Sequence, residues 1–203
     1  MTEEHKDLFQ HMLELLDANI DPKQREREIW EQYGQTVAVL ILDSSGFSRV
    51  SKSHGIVHFL SRLMLMRKIA KPIFEAHHCE NLKFEADNAL VIFKEVDEAI
   101  ASALEVNEKL HASGLMLTEN EPFEVCIGIG YGEMLCSETL EGYFSKELNF
   151  ASKLGEDTAN SGEILLTSNA YQRATQTLVK DFNPFEVEVS GVQLSYYGYQ
   201  FHS

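Results

Sequence analysis

Two aspartates stand where this sequence could bind a metal ion and a phosphate group together. Asp43 follows the apolar run Val37–Leu42 and precedes a short turn that contains Gly46, while Asp87 lies in an acidic turn between two strand-like segments. Carboxylate oxygens are preferred ligands of Mg²⁺, and the N–H groups of a turn that opens a helix attract phosphate. Taken singly, Asp43 could merely cap a helix and Asp87 could merely make a turn. A shared site therefore depends on whether folding brings the two aspartates together.

The order of strands and helices decides that question. Apolar and β-branched runs predict strands, and apolar residues spaced three or four apart predict helices. From residue 37 the elements are strand, helix, strand, strand, helix, strand: Val37–Leu42, Phe47 to about His78 with an interruption at His54-Gly55, Leu82–Ala86, Asn88–Phe93, a helix capped by Asp97, and Phe123–Ile129. A glycine turn at 130–132 is expected to end the last strand, and residues 112–122 are expected to form a loop. Further elements are predicted at 149–154 (helix), 164–167 (strand), 170–175 (helix), 185–189 (strand) and 194–201 (strand).

This order is the βαββαβ pattern of an α+β, ferredoxin-like fold. Such a sheet places its third strand between the first and the second, antiparallel to both. The end of the first strand then lies beside the turn that joins strands two and three. We therefore expect Asp43 and Asp87 at the same end of the sheet.

A helical appendage, residues 1–34, is predicted to precede the main domain, residues 35–203. Its first helix, 3–20, carries apolar residues at helical spacing: Phe9, Met12, Leu13, Leu16 and Ile20. A second helix is expected to start at Asp21-Pro22 and to end at Gly34. This pair could simply pack on the domain, or it could serve dimerisation or signal input; a single apolar stripe suits either role.

Composition narrows the class of protein. The chain has 203 residues, 44% of them hydrophobic, which is enough for one domain with a full core. Its net charge of −15 argues against nucleic acid or an anionic membrane surface as partner. The three cysteines lack metal-ligand spacing and are expected to be reduced core thiols. With no signal-peptide pattern and no apolar run long enough to span a bilayer, the sequence predicts a soluble, cytoplasmic protein.

Several motifs, in order, resemble those of the class III nucleotidyl cyclases, the catalytic domains of adenylate and guanylate cyclases. The similar segments are Asp43-Ser-Ser-Gly46-Phe47-Ser48, Lys83-Phe-Glu-Ala-Asp87, Gly128-Ile129-Gly130-Tyr131-Gly132, Leu148-Asn149-Phe-Ala151-Ser152-Lys153-Leu154 and Gly162-Glu163-Ile164-Leu165. The family patterns are Asp-x-x-Gly-Phe-Thr/Ser, Lys-x-x-Gly-Asp, Gly-Ile-His-x-Gly, Val-Asn-x-Ala-x-Arg-Leu and Gly-Glu/Gln-Ile. The similarity extends over about residues 36–200, and its specificity lies in the ordered set.

The resemblance implies a reaction and a site. In this family the ribose 3′-hydroxyl of a nucleoside triphosphate attacks its own α-phosphate and releases pyrophosphate. Two metal ions, Mg²⁺ or Mn²⁺, would be held by Asp43, Asp87 and the backbone carbonyl of Ser44. The resemblance makes Gly46, Phe47 and Ser48 substrate-binding. It also implies a homodimer in which the partner chain supplies Lys83 to the base, Asn149 to the ribose and Lys153 to the transition-state phosphate.

The departures from the family pattern bear on substrate and activity. The family's phosphate-stabilising arginine is Lys153 here, the adenine-reading acid is replaced by Gly142, and Glu85 stands at a usually apolar position. The hairpin glycine is Ala86, and the C-terminal Lys-Gly-Lys is replaced by residues 190–192, Ser-Gly-Val. ATP is the favoured substrate because Lys83 is kept. A cyclase with another base specificity, and a weakly active or inactive nucleotide-binding module, are the alternatives.

Overall fold

A mixed sheet runs through the molecule, with helices on both faces; the computed structural model describes residues 7–137, 142–189 and 192–201. Seven α-helices lie in these ranges: α1 (Leu8–Asp17), α2 (Glu26–Tyr33), α3 (Phe47–His54), α4 (Ile56–Ala76), α5 (Val96–Ser113), α6 (Lys146–Ser152) and α7 (Ser168–Arg173). The strands are β1 (Gly34–Ser44), β2 (Asn81–Glu85), β3 (Asn88–Phe93), β4 (Met116–Thr118), β5 (Glu121–Pro122), β6 (Val125–Cys136), β7 (Tyr143–Phe144), β8 (Glu163–Thr167), β9 (Asn183–Val189) and β10 (Val192–Gln200).

The sheet has the order β2-β3-β1-β6-β8-β10-β9, and β7 pairs with β6. β3 lies between β1 and β2 and is antiparallel to both, which confirms the predicted βαββαβ arrangement. β6 pairs antiparallel with the other side of β1 and parallel with β8. β4 and β5 form a separate hairpin inside the segment predicted to be loop.

Strand β1 is buried on both faces, and this explains its uninterrupted apolar run. Alternate residues, Ala38, Leu40 and Leu42, belong to the main core with α4 and α5. The intervening residues Val37, Val39 and Ile41 pack on the opposite face, where α6 contributes Ala151. The strand that ends at Asp43 is therefore fixed from both sides.

The predicted glycine turn is wrong, because β6 continues through it to Cys136. The glycines serve close packing. A Cβ atom on Gly128 would lie 2.1 Å from the carbonyl oxygen of Ala151 and 2.6 Å from the nitrogen of Gly155. The backbone of α6 and of the turn after it therefore rests directly on β6, and in a strand a glycine often marks such an approach.

The predicted cap of α5 is also wrong. The N-cap residue is Glu95, which makes no side-chain capping bond. Asp97 instead lies in the first turn, and its carboxylate accepts hydrogen bonds from the nitrogen of Thr175 at 2.9 Å and from its hydroxyl at 2.6 Å. The long-range partner that attracts Asp97 could not be read from local sequence.

The appendage packs through only part of the predicted apolar stripe. Leu13 and Leu16 are 61% and 55% exposed. Leu8 is buried instead, with Met12 and Leu15 partly buried beside it, against two apolar residues of α2 and one of β6: Ile29, Tyr33 and Leu135. The second helix starts as predicted, since Asp21 caps a 3₁₀ turn, Pro22–Arg25, that leads into α2. The predicted end is also confirmed, because Gly34 is the C-cap of α2.

Two further expectations concern redox state and membranes. All three cysteines are free, but only Cys126 is buried, so the predicted core position is confirmed for one of them. Within the described ranges, none of the helices has the length and apolar character that crossing a membrane requires.

Candidate active site

Asp43 and Asp87 lie at the same end of the sheet, as predicted from the strand order. Asp43 is paired with Cys126 in the ladder between β1 and β6, one residue beyond Leu42, which faces Ala89 of β3. Asp87 lies in the two-residue turn between β2 and β3. Burial raises the pKa of Asp43 to about 6, together with the negative charges of Asp87 and then of Glu156, although a hydrogen bond from the Ser44 backbone lowers it. The carboxylates are thus close enough to repel each other.

Glu156 is the residue of this site that sequence reasoning missed. The predicted helix was expected to end at Leu154, but α6 continues into a π-helical turn, Lys153–Thr158. Glu156 extends from this turn toward β3, where its carboxylate accepts a hydrogen bond from the Asn88 side chain at 3.2 Å. Its own pKa is raised by burial, then by the charges of Asp157 and Asp87. π-turns concentrate at functional sites, yet an acidic pair after a glycine gives no sequence signal for one.

The turn after Asp43 opens α3 as the sequence indicates. Gly46 adopts a left-handed conformation, φ +85°, and caps α3 without a side-chain hydrogen bond to the first turn. The N–H groups at this helix start, with the exposed Phe47 and Ser48, therefore remain available to a ligand. Arg49 braces the turn through two hydrogen bonds to Glu121.

Ser44 follows Asp43 at the end of the sheet where the two carboxylates lie. The residue is buried, and its hydroxyl makes no hydrogen bond within the part of the chain that the structure describes. Its neighbour Ser45 is held in place, because it accepts from the hydroxyl of Ser161 at 2.8 Å and its nitrogen donates to the carbonyl oxygen of Glu124 at 3.2 Å. The backbone next to Asp43 is thus anchored.

The hairpin turn that carries Asp87 is under local strain. Ala86 has φ +47°, and a two-residue hairpin turn with positive φ at its first central position favours glycine there. The carbonyl oxygen of Ala86 accepts a hydrogen bond from Arg67 of α4, and the Arg67 guanidinium lies 4.7 Å from the Phe84 ring centre. These contacts hold Asp87 in place against an unfavourable backbone geometry.

We expect Ala86→Gly to stabilise the protein by about 1 kcal/mol, because glycine adopts positive φ without the steric cost that a Cβ atom brings. The melting temperature should rise by about 2–4 °C, measured by calorimetry. Ala89→Gly is the matched control, since Ala89 lies in strand β3 and glycine there should lower stability. A fall in melting temperature with Ala86→Gly would mean that this turn does not carry the strain.

A cleft of about 670 Å³ opens beside the two aspartates, with apolar residues, among them Ile41, Leu90 and Leu148, and polar groups of β2 in its wall. Lys83 and Glu85 both line it and form an ion pair of 2.9 Å. Gly142 contributes to the same wall with φ +83°. Positions 190 and 191 of the Ser-Gly-Val segment named from the sequence lie outside the described residues.

The structure does not bring all the predicted residues together in one chain. Asn149 and Lys153 lie one turn apart where α6 passes into the π-helical turn, and neither lines the cleft. Within the described residues their side chains make no hydrogen bond or ion pair. Leu148, Ser152 and Glu156 occupy the cleft-facing side instead. Asn149 and Lys153 thus form a second, separate polar surface.

The donor set suits a divalent metal only in part. Asp43 and Asp87 supply hard oxygen ligands. Burial is the main reason that the pKa of Asp43 is raised, and the repulsion from Asp87 that adds to it is what a cation would relieve. Within the described ranges no group of three or more His, Cys, Asp or Glu residues is arranged to hold a metal. Two carboxylates fit an ion that completes its coordination with water and substrate phosphates.

The sequence also matches a protein-family model, the adenylate and guanylate cyclase catalytic domain, over residues 29–203. The chain belongs to this family. The matched range begins within α2 and includes the whole of the sheet. No curated protein matches the chain.

Solved cyclase structures share the fold. An adenylate/guanylate cyclase/hydrolase from Silicibacter pomeroyi superposes with a TM-score of 0.71 at 21% identity, over 83% of this chain and 98% of that one. The guanylate cyclase domain of RhGC from Catenaria anguillulae, in complex with GTP, gives 0.66 at 16% identity, over 81% and 95%. The adenylyl cyclase CyaB from P. aeruginosa gives 0.63 at 20% identity, over 83% and 96%. At these identities the likeness establishes the fold alone.

Proposed function

We propose that this cyclase domain converts a nucleoside triphosphate, most favourably ATP, to the 3′,5′-cyclic nucleotide and pyrophosphate. The observation that carries the proposal is the pair of aspartates: two carboxylates at one end of the sheet, where Asp87 contributes to raising the pKa of Asp43 to about 6. Keeping like charges together costs folding free energy, so the pair is better explained by a ligand than by stability. The helix start at Gly46 lies next to it.

Asp43, Asp87 and the backbone carbonyl of Ser44 would hold the metals, two Mg²⁺ or Mn²⁺ ions in each site. When bound, such ions would lower the pKa of the ribose 3′-hydroxyl and neutralise charge on the phosphates. The chain's own part is to fix the two carboxylates: β1 is packed on both faces, and Arg67 holds the turn that carries Asp87.

The triphosphate would lie against the start of α3, where Gly46, Phe47 and Ser48 offer backbone N–H groups. The 3′-hydroxyl would release its proton to water, and its oxygen would attack the α-phosphorus as the bond to the leaving pyrophosphate oxygen breaks. Lys153 would stabilise the charge that develops on the α-phosphate. A lysine does so as a point charge, without the bidentate geometry of arginine.

A homodimer completes the site in this proposal. Lys83, Asn149 and Lys153 of one chain would reach the base, the ribose and the α-phosphate bound to the aspartates of the other. The separate surface of Asn149 and Lys153, which lack partners among the described residues, supports this arrangement. A two-fold dimer would carry two such composite sites.

The proposal also covers the domain boundaries, the preferred base and the cellular location. Residues 1–34 are treated as an appendage and 35–203 as the catalytic domain. ATP is favoured because Lys83 can donate to the unprotonated ring nitrogen of adenine. A cytoplasmic location fits three free cysteines and a triphosphate substrate.

A nucleotide panel tests the reaction. Purified protein is incubated with ATP, GTP, CTP and UTP in turn, with Mg²⁺ and then Mn²⁺, and products are identified by mass spectrometry. We expect cyclic AMP and pyrophosphate in equal amounts from ATP, with less product from the other triphosphates. The rate per chain should fall on dilution below the dimer dissociation constant, because each site needs two chains.

Two outcomes of these assays would contradict parts of the proposed function. No cyclic product from any triphosphate, together with equal silence of an Asp87→Asn variant, would reject the enzymatic function. A rate per chain that is independent of protein concentration, while sedimentation shows monomers, would reject the composite site and leave the reaction standing.

A further inference from the structure

Three polar side chains follow one another along the cleft wall on β2, the edge strand of the sheet. Asn81, Lys83 and Glu85 line the cleft, whereas Leu82 and Phe84 pack against the core. The alternation follows from the strand, in which successive side chains point to opposite faces. The cleft thus presents an amide, an ammonium and a carboxylate in a row.

Stability does not explain the pair in the middle of this row. Lys83 and Glu85 lie 2.9 Å apart, and their side chains are 59% and 74% exposed. An ion pair this open to solvent adds little to the free energy of folding, because water and salt screen it. Both groups can exchange their mutual contact for a ligand at small cost.

Neighbouring polar groups of the cleft are already engaged. Asn88 donates to Glu156 at 3.2 Å, at the end of the cleft near the aspartates. The Tyr143 hydroxyl hydrogen-bonds to both Cys136 and Asn81. Burial and then Cys136 raise its pKa to about 12, although the hydrogen bond with Asn81 lowers it. Within the described residues, Lys83 and Glu85 are therefore the charged pair that remains open to a ligand in the cleft.

Apart from Glu85, the acid that lines the cleft in the described residues is Glu156, which is held by Asn88. Gly142 has no side chain, and a Cβ atom there would have nothing within 4 Å. The apolar side chains of Ile41, Leu90 and Leu148 provide a surface for a planar ring. A heterocycle lying on that surface would meet its polar partners on β2.

We propose that Glu85 is a specificity-determining residue, which acts with Lys83 to read the edge of the nucleobase. The Glu85 carboxylate accepts a hydrogen bond from an exocyclic amino or ring N–H group. Lys83 donates to the neighbouring ring nitrogen or carbonyl oxygen. The ligand class is a heterocycle whose edge places a donor beside an acceptor. This inference rests on the proposed function, whose site it deepens.

The test is the variant Glu85→Leu, which keeps the approximate size of the side chain and removes the acceptor. For each of the four triphosphates, kcat/KM is measured, and Kd is measured by displacement of a fluorescent nucleotide with Mn²⁺ present. We expect the ratio between the preferred triphosphate and its best competitor to fall by about 10-fold or more, because a lost charge-assisted hydrogen bond has this magnitude. The dissociation constants make the test independent of turnover.

Two further variants serve as a control and as a rescue for the Glu85→Leu test. Glu75→Leu removes the carboxylate of another exposed Lys–Glu pair, with Lys71 on α4, and should leave the ratio unchanged. Gly142→Asp, added to Glu85→Leu, should restore part of the discrimination, since the position is open and aspartate tolerates positive φ better than most residues.

The two proposals fail in different ways. If the wild type is active and Glu85→Leu lowers kcat/KM equally for all four triphosphates, or leaves the ratios unchanged, this inference is overturned and the proposed function stands. If the wild type neither binds nor cyclises any triphosphate, both are overturned.

Discussion

Asp43→Asn should abolish cyclisation while leaving the protein folded and no less stable. Removing one carboxylate from a two-metal site takes away several kcal/mol of transition-state stabilisation, so we expect kcat to fall by about 1,000-fold or more. Asparagine has nearly the same shape as aspartate, and the strand that carries it is packed on both faces. The loss would therefore be chemical rather than structural.

The sign of the stability change follows from the pKa of Asp43. This pKa is about 6 in the folded protein, against 3.8 for the unperturbed group. Between those pH values the folded state therefore holds a proton that the unfolded state has already lost. Stability therefore decreases as the pH rises from about 4 to 6, and the full cost of the charge is present above 6. An uncharged asparagine side chain in the variant would avoid that cost, which we put at about 1 kcal/mol after screening by solvent.

The measurement is chemical denaturation of wild type and Asp43→Asn at pH 5 and pH 7.5 in EDTA, repeated with Mg²⁺, beside a turnover assay. The stability advantage of the variant should be larger at pH 7.5 than at pH 5, and Mg²⁺ should stabilise the wild type alone. A variant that cyclises at the wild-type rate would refute the assignment of Asp43. A variant that is inactive and strongly destabilised would mean that Asp43 has a structural role.

Gly128→Ala should have the second large effect, this time on the fold. The added Cβ atom would lie 2.1 Å from the carbonyl oxygen of Ala151 and 2.6 Å from the nitrogen of Gly155, and both are backbone atoms that cannot rotate away. Relief requires α6 to move off β6. We expect a loss of about 3 kcal/mol in the free energy of unfolding and a fall of roughly 10 °C in melting temperature.

The same displacement reaches the proposed site, because α6 and its π-helical turn carry Asn149, Lys153 and Glu156. A shift of about 1 Å in a catalytic group can cost 100-fold in rate, so turnover of the folded fraction should fall by about that factor. Gly132→Ala on the same strand is the control: its Cβ would contact only the Glu147 side chain, at 3.1 Å, and should cost less than about 1 kcal/mol. Equal losses in the two variants would contradict the close approach at Gly128.

Much of this architecture follows from sequence pattern, for a simple physical reason. Which residues are buried is indicated by the apolar run Val37–Leu42 and by the alternating segments around Asp87. The order of the elements along the chain limits how such strands can pair. Asp43 and Asp87 then have to meet. Residues that end strands are located by topology, and topology is readable from the order of elements.

Three of the errors lie where a distant contact overrides a local signal. Glycines 130 and 132 looked like a turn, Asp97 looked like a cap, and Leu13 and Leu16 looked buried. In the structure β6 runs on beneath α6, Asp97 bonds Thr175 across 78 positions, and α1 turns Leu8 inward. Each outcome depends on what packs opposite, which no window of sequence contains.

The sequence by itself determined the fold, the family resemblance and the meeting of Asp43 with Asp87, because strand order and apolar periodicity are local properties of the chain. Only the tertiary structure decided that Glu156 joins them, that Glu85 pairs with Lys83 in an open cleft, and that Asn149 with Lys153 occupies a separate surface. The reason is that the π-helical turn and the close approach of α6 to β6 place Glu156, Asn149 and Lys153, and that the residues lining the cleft around Lys83 and Glu85 are far apart in sequence.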